Sequence, residues 1–271
     1  MYWQFYDLKQ NPFSLTPDPA GFFPNPHHED ALATLIDSLK HRGMGVLLGD
    51  AGLGKTLLLH VYLRLAQQRQ YKSIYVASTD LAFRALLQML YQALGLDFAT
   101  ATLDMLLTAC QQRSVILGID DAHLMPTLTL KKLWTLAEYA ASVGAILHII
   151  LAGHPELDAM LDALALPHLT PASVVRYTLS PFTPRESRAY IDHRLAQATT
   201  QTETVFTSRA LTRIIKAAQG VPGTLNVLCT NALIAGFWVQ QRPVSARVVR
   251  ETIAQVQGSS PFQRRHWWSR V

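Results

Sequence analysis

The 271-residue chain is poor in charge: Asp, Glu, Lys and Arg make up 16% of it, against 49% apolar residues. That balance excludes an intrinsically disordered chain, which needs the reverse. Long hydrophobic runs are missing as well. No uninterrupted apolar stretch reaches the roughly 20 residues that a membrane-spanning helix requires, so a soluble chain is expected. The opening residues, Met1-Tyr2-Trp3-Gln4-Phe5-Tyr6-Asp7, have no basic stretch, no apolar core and no small-residue cleavage site of the kind a secretory signal carries. A cytoplasmic location is expected from that. Cysteine is scarce: Cys110 and Cys229 lie far apart within apolar, helix-like segments, which reads as two small buried hydrophobes rather than a disulfide.

Negative charge is scarce in one region in particular. Residues 1–182 carry 12 Lys/Arg against 15 Asp/Glu, a net −3, whereas residues 183–271 carry 12 against 4, a net +8. A basic C-terminal third fits an anionic partner, either DNA or anionic lipid, and equally a solvated basic helix face.

The order of apolar runs sets the fold class. Residues 1–26 are rich in Pro, Asn and aromatics, which excludes a long helix or a central strand. Phe5, Phe13, Phe22 and Phe23 are too many for a linker and are expected to pack on the body of the domain. Residues 28–40 repeat apolar positions at helical spacing. Strand-like runs then alternate with helical ones: strands at 44–48, 73–77, 114–119, 146–152 and 174–179, and helices at 55–68, 81–94 and 128–141. Such alternation predicts a parallel sheet covered by helices on both faces. After Pro181 the strands stop, and helices are expected at 184–198, 207–218, 224–239 and 245–257. The expected organisation is an ordered lead-in over 1–26, a nucleotide-binding α/β domain over 27–182, a small all-helical lid over 183–257 and a basic, Trp-containing tail over 258–271.

One segment carries the chemistry. Gly49-Asp50-Ala51-Gly52-Leu53-Gly54-Lys55-Thr56 fits G-x-x-x-x-G-K-[ST] directly after an apolar strand and directly before a helix. The glycines let the loop aim several N–H groups at phosphate oxygens, and the helix N-terminus adds its positive end. Lys55 is the candidate for the β- and γ-phosphates, and the Thr56 hydroxyl the candidate ligand for Mg²⁺. Such a loop needs an acid at the end of a neighbouring strand, and Ser114-Val115-Ile116-Leu117-Gly118-Ile119-Asp120-Asp121 supplies two. Asp120 is expected to hold Mg²⁺ through water, and Asp121 to orient or deprotonate the attacking water. His154, after the next apolar strand, is placed to sense the γ-phosphate or that water, and His123 is a second candidate. The expected cofactors are ATP and Mg²⁺.

In this order the residues resemble the ExeA/GspA-type AAA+ ATPases: general secretion pathway A proteins, MshM-like pilus-biogenesis ATPases and exosortase-linked secretion ATPases. The likeness spans nearly the whole chain. It rests on Met1-Tyr2 through Phe5-Tyr6-Asp7-Leu8, on Asn11-Pro12-Phe13-Ser14-Leu15-Thr16-Pro17-Asp18-Pro19 with Phe22-Phe23, and on His28 with Ala31-Leu32. Arg176-Tyr177-Thr178-Leu179-Ser180-Pro181-Phe182, Tyr190-Ile191-Asp192-His193-Arg194-Leu195 and Gly220-Val221-Pro222 with Asn226-Val227-Leu228-Cys229 continue it. The resemblance implies a P-loop AAA+ three-layer αβα domain with a five-stranded parallel sheet and a helical lid. It also implies ATP hydrolysis, an ATP-dependent homo-oligomer, and assembly of a secretion system or pilus through a membrane-associated partner, from the cytoplasm or the periphery of the inner membrane. Relatives of similar build act instead as transposition regulators that assemble on DNA.

Three departures from the family pattern bear on turnover. Asp121 stands where Glu is usual, about one methylene shorter. Gly223 stands where the family carries a sensor 2 Arg. Ala172 stands four positions before Arg176, where an Arg is usual, which leaves Arg176 as the remaining candidate for a catalytic arginine, with pairing at the sheet edge as the alternative. An arginine finger contributes about 10³ to 10⁵ in rate, so slow or partner-stimulated hydrolysis is implied. The tail joins Arg264, Arg265 and Arg270 to Trp267-Trp268 where secretion members enter a membrane helix. Arg beside Trp suits a membrane interface, and folding back on the lid is the alternative.

Overall fold

The computed structural model describes residues 1–39, 44–77, 81–164, 174–199 and 204–258. Ala172 and residues 259–271 of the expected tail lie outside the described residues. Packing divides the chain into two compact units, residues 17–180 and residues 1–16 together with 181–271.

The first unit is the α/β one. Its strands are β1 (Met44–Leu48), β2 (Lys72–Ala77), β3 (Val115–Asp120), β4 (Leu147–Gly153) and β5 (Val174–Thr178). They form one sheet in the order β2-β3-β4-β1-β5, with every pairing parallel. The helices are α1 (Pro26–Ser38), α2 (Lys55–Gln68), α3 (Phe83–Ala93), α4 (Leu103–Gln112), α5 (Thr127–Ser142) and α6 (Glu156–Ala163). Every residue of β1, β3 and β4 is buried, as continuous apolar strands covered on both faces must be. The edge strands β2 and β5 alternate more and stay partly exposed. The sequence marks α4 only as the helix-like surroundings of Cys110, without bounds, and does not mark α6. Thr102 caps α4 by accepting from the Met105 N–H, and the helix buries Leu106, Leu107 and Cys110.

One close approach and the strand order fix where the loops at the sheet's upper edge fall. At Gly118, in the middle of β3, an added Cβ would stand 2.9 Å from Leu59 Cδ1 and 3.0 Å from Leu63 Cδ1 of α2. Only glycine lets α2 lie that near the strand. The strand order also puts β4 between β1 and β3, so the loop after β1 and the acids after β3 flank the end of β4. In open parallel sheets the carboxyl ends beside such a switch in connectivity are where ligands bind.

The second unit is all-helical: α7 (Pro184–Ala198), α8 (Ser208–Ala218), α9 (Pro222–Trp238) and α10 (Ala246–Gly258). Thr183 and Glu186 form a reciprocal capping box at the start of α7 with Pro184 in its first turn, the arrangement expected of a firm N-terminus. Helix α9 begins at Pro222 rather than 224, because Pro222 occupies a first-turn position where its missing N–H costs nothing. Gly223 therefore lies in the first turn of α9.

Residues 1–16 belong to this helical unit, in which the Phe13 ring lies 6.4 Å from that of Phe206. Tyr6 is buried and its hydroxyl donates to the Leu233 carbonyl at 3.0 Å. The Lys9 N–H donates to Ala198 O at 2.8 Å, Arg194 Nε to Pro12 O at 2.6 Å, and Phe5 packs edge-on against Phe237. A Cβ at Gly236 would fall inside contact distance of the Tyr6 hydroxyl. Gly236→Ala should therefore lower stability by about 1–3 kcal/mol through overpacking. Adding Tyr6→Phe should recover part of that loss, with a coupling of at least about 0.5 kcal/mol in urea denaturation. Strictly additive losses would contradict the contact.

Candidate functional site

The loop after β1 is shaped by its glycines. Gly52 and Gly54 have φ of 82° and 94°, a region that disfavours side chains with a Cβ. Gly54 is the N-cap of α2 in a left-handed conformation. Among the described residues the N–H groups of Ala51, Gly52 and Gly54 meet no acceptor. Those of Lys55 and Thr56 open α2, where no intrahelical partner exists. Five N–H groups thus cluster at a positive helix end, an arrangement that binds anions. Asp50 and Leu53 close the loop on itself through the Leu53 N–H and Asp50 O, 3.5 Å apart. His28 of α1 supports it from outside, its Nε2 being 3.3 Å from Leu53 O.

Lys55 is 6% exposed. Its Nζ donates to Gly49 O at 2.7 Å and to Asp50 O at 3.0 Å, which leaves one of its three N–H bonds without a protein acceptor among the described residues. Burial pulls its pKa below the usual lysine value, and the carboxylates of Asp121, Asp120 and Asp50 oppose that pull.

The two acids part company at the end of β3. Asp120 is 4% exposed and is fully engaged. Its Oδ2 accepts from Thr56 Oγ1 at 2.6 Å and from the Tyr75 hydroxyl at 3.2 Å, and its Oδ1 accepts from the Asp121 N–H at 3.0 Å. A hydroxyl–carboxylate bond that short is charge-assisted and strong. Asp121 is exposed and takes a left-handed backbone, φ 46° and ψ 36°, as the cap of a short 3-10 turn over Ala122–Leu124. That turn folds His123 back onto the end of β4. The His123 and His154 rings stack at 4.3 Å with planes 12° apart, and the His154 N–H points at His123 Nδ1, 3.4 Å away. Burial lowers the His123 pKa, and His154 lowers it further, against an opposing pull from Asp121.

The structure therefore brings together Gly49 to Thr56, Asp120, Asp121 and His154. Arg176 is not brought to them within one chain. It lies mid-strand in β5, in register with Val46, three strand spacings or roughly 14 Å across the sheet from β3. There it pairs with Asp158 at 2.7 Å and Asp162 at 2.8 Å, both on α6.

Sequence reasoning missed Tyr75. It sits on β2 opposite Gly118, and burial together with Asp120 pushes its hydroxyl pKa up to about 12. At neutral pH it remains a protonated donor to Asp120. Its ring also lies 4.3 Å from that of His60. Nothing local marks it, since its partner is 45 residues away and only the register reveals the meeting.

Comparison with known proteins agrees with this fold. Residues 37–161 match the family described as AAA domain. General secretion pathway protein A of Aeromonas hydrophila is 31% identical over 249 residues, covering 88% of this chain and 45% of that protein. The chain is an AAA+ P-loop protein related to general secretion pathway protein A. It spans somewhat less than half the length of that relative. Among solved structures, Cdc6p from Pyrobaculum aerophilum has a TM-score of 0.71 at 20% identity, covering 89% of this chain and 69% of that one. The Aeropyrum pernix ORC2 protein, in ADPNP and ADP complexes, has a TM-score of 0.69 at 16% identity, covering 91% and 72%. Those likenesses carry the AAA+ fold of the chain.

The left-handed cap of the AAA+ loop can be tested without nucleotide. A Cβ at Gly54 would meet only ordinary contacts, 3.8 Å from the His28 ring, so the backbone alone resists a side chain. Gly54→Ala should cost about 1–2 kcal/mol in urea denaturation. An unchanged midpoint would contradict the φ of 94°.

Proposed function

We propose that this AAA+ chain binds ATP with Mg²⁺ and hydrolyses it slowly when unaided, so as to drive or time assembly of a bacterial envelope machine such as a secretion system or pilus. One observation carries the nucleotide half: Lys55 and Thr56 converge with Asp120 and Asp121 at one edge of the sheet, Thr56 and Asp120 joined at 2.6 Å. The free N–H groups of the loop and the remaining Lys55 proton fit the oxygens of a triphosphate. Thr56 and Asp120 offer the hard oxygen ligands that suit Mg²⁺.

The residues divide the work accordingly. The loop N–H groups of 51, 52 and 54–56 orient the phosphates, and Lys55 neutralises the β- and γ-oxygens. Asp120, held on three sides, would share Mg²⁺ with Thr56. Bound Mg²⁺ neutralises charge that develops on the phosphate oxygens. Asp121, exposed beside it, is the group left to orient and accept a proton from water. His154 stands next to Asp121 as the reporter of the γ-phosphate. Arg176 is committed to Asp158 and Asp162 within the chain, and its assigned role is toward a phosphate on another copy in an ATP-dependent homo-oligomer. The envelope role, a membrane-associated partner and a cytoplasmic or peripheral inner-membrane location rest on the kinship with general secretion pathway protein A. Among the described residues no helix is long and apolar enough to cross a membrane.

The test is phosphate release measured beside particle size, with and without ATP. Wild-type chain should release phosphate slowly and grow in size with ATP, and Lys55→Ala should do neither. Release by Lys55→Ala at the wild-type rate would retire the assignment. Asp121→Glu should raise turnover per bound ATP by extending the carboxylate toward the water, and an unchanged rate would show that the shorter acid is not what limits it. The net +8 of residues 183–271 also suits DNA as a second partner. On that reading the affinity for duplex DNA falls steeply and log-linearly with salt, and no binding at low salt would remove it.

A further inference from the structure

Asp121, His123 and His154 form a cluster whose chemistry differs from that of the Thr56–Asp120 pair. One ligand atom from each, two imidazole nitrogens and a carboxylate oxygen, lies within 4.8 Å of the others. Both histidines are half-buried, and neither sits within a strand: His123 is in the 3-10 turn and His154 follows β4. The left-handed backbone at Asp121 folds this turn back, and the ring stack sets the imidazoles side by side.

We propose that Asp121, His123 and His154 bind a divalent metal ion of the zinc class, separate from the Mg²⁺ position, and that its occupancy holds the Asp121 carboxylate away from water and so restrains hydrolysis. The second half rests on the nucleotide reading above; the first does not. Imidazole suits Zn²⁺, Cu²⁺, Co²⁺ and Ni²⁺, whereas Mg²⁺ favours oxygen ligands. Three protein ligands with an open position is the arrangement of an accessible zinc site rather than a closed structural one. Ligand atoms of a tetrahedral site at about 2.1 Å from the ion stand about 3.4 Å apart, so the cluster must close by about 1 Å, and because an imidazole nitrogen donates within its ring plane the two rings, now 12° from parallel, must also tilt toward one another. Releasing His123 Nδ1 from the His154 N–H gives up only a bond already 3.4 Å long. The charges facing His123 are Asp121 and Glu156, opposed by Lys55 and by His154 when it is protonated. Asp120 adjoins Asp121, so the acids outnumber Lys55 and the surroundings favour a cation.

The full chain, stripped with chelator and free of nucleotide, is titrated with Zn²⁺ by calorimetry. One equivalent should bind, and His123→Gln, His154→Gln and Asp121→Asn should each weaken binding by at least about tenfold, with thermal melts confirming that the variants fold. Should a variant unfold, the unmodified chain with one equivalent of Cu²⁺ still decides the ligand set. Its electron paramagnetic resonance spectrum should show hyperfine splitting from two nitrogens, and a signal without nitrogen overturns the proposal. Absence of a bound equivalent, or binding unchanged in all three variants, overturns it too and leaves the ring stack as a packing contact. At fixed ATP and Mg²⁺, one equivalent of Zn²⁺ should slow phosphate release while ATP affinity stays constant. A parallel loss of ATP affinity would place zinc on the phosphate site and overturn the restraint. A chain that binds ATP but no zinc overturns this inference alone. A chain that takes zinc through these residues but binds no ATP upholds the metal site and retires the nucleotide reading.

Discussion

The hydrogen bond from Thr56 Oγ1 to Asp120 Oδ2, 2.6 Å long, joins the helix that follows the phosphate loop to the strand that carries the acids. It spans 64 residues of sequence. It forms only because Gly118 lets α2 lie close on β3 and because the strand order sets the loop after β1 and the end of β3 on either side of β4. Break either condition and Lys55 loses the carboxylates that offset its burial. A buried ammonium without neighbouring acids is expensive. The tie thus does more than position a ligand. It makes a buried cation tolerable in a loop whose N–H groups already carry positive potential.

A division of labour between the two acids follows. Asp120 accepts from three donors and is buried, so its orientation is fixed. Asp121, one residue on, is exposed and held in an unusual backbone conformation. A fixed carboxylate suits a metal ion, and an accessible one suits water. The histidine stack beside Asp121 gives the same region nitrogen ligands that an all-oxygen magnesium position does not need. On the proposed reading, that difference in ligand chemistry would let two ions be told apart at one end of the sheet.

Much of this was legible before the structure. The three central strands showed as short apolar runs because central parallel strands are buried on both faces, the edge strands showed through β-rich residues such as Ile74, Tyr75 and Val76, and the phosphate loop showed because its glycines and Lys-Thr sit at fixed offsets between strand and helix. Helix α4 shows in the helix-like surroundings of Cys110, where Leu103, Leu106, Leu107 and Cys110 recur at helical spacing. Helix α6 has barely two turns, too few for periodicity to distinguish from loop. Long-range partnerships were not legible. Tyr75 meets Asp120 through the register of β2 on β3, Arg176 is claimed by two acids of α6, and Phe5 and Phe13 meet Phe237 and Phe206 of the helical unit, each a tertiary choice that local pattern does not encode.

The central claim is that the loop from Gly49 to Thr56 receives a nucleoside triphosphate with its metal ion, and direct calorimetric titration of the full chain with ATP tests it most plainly. With Mg²⁺ present the account predicts one nucleotide bound per chain, with weaker affinity when chelator replaces the metal. Heat no larger than dilution at saturating nucleotide, with Mg²⁺ present, would contradict it.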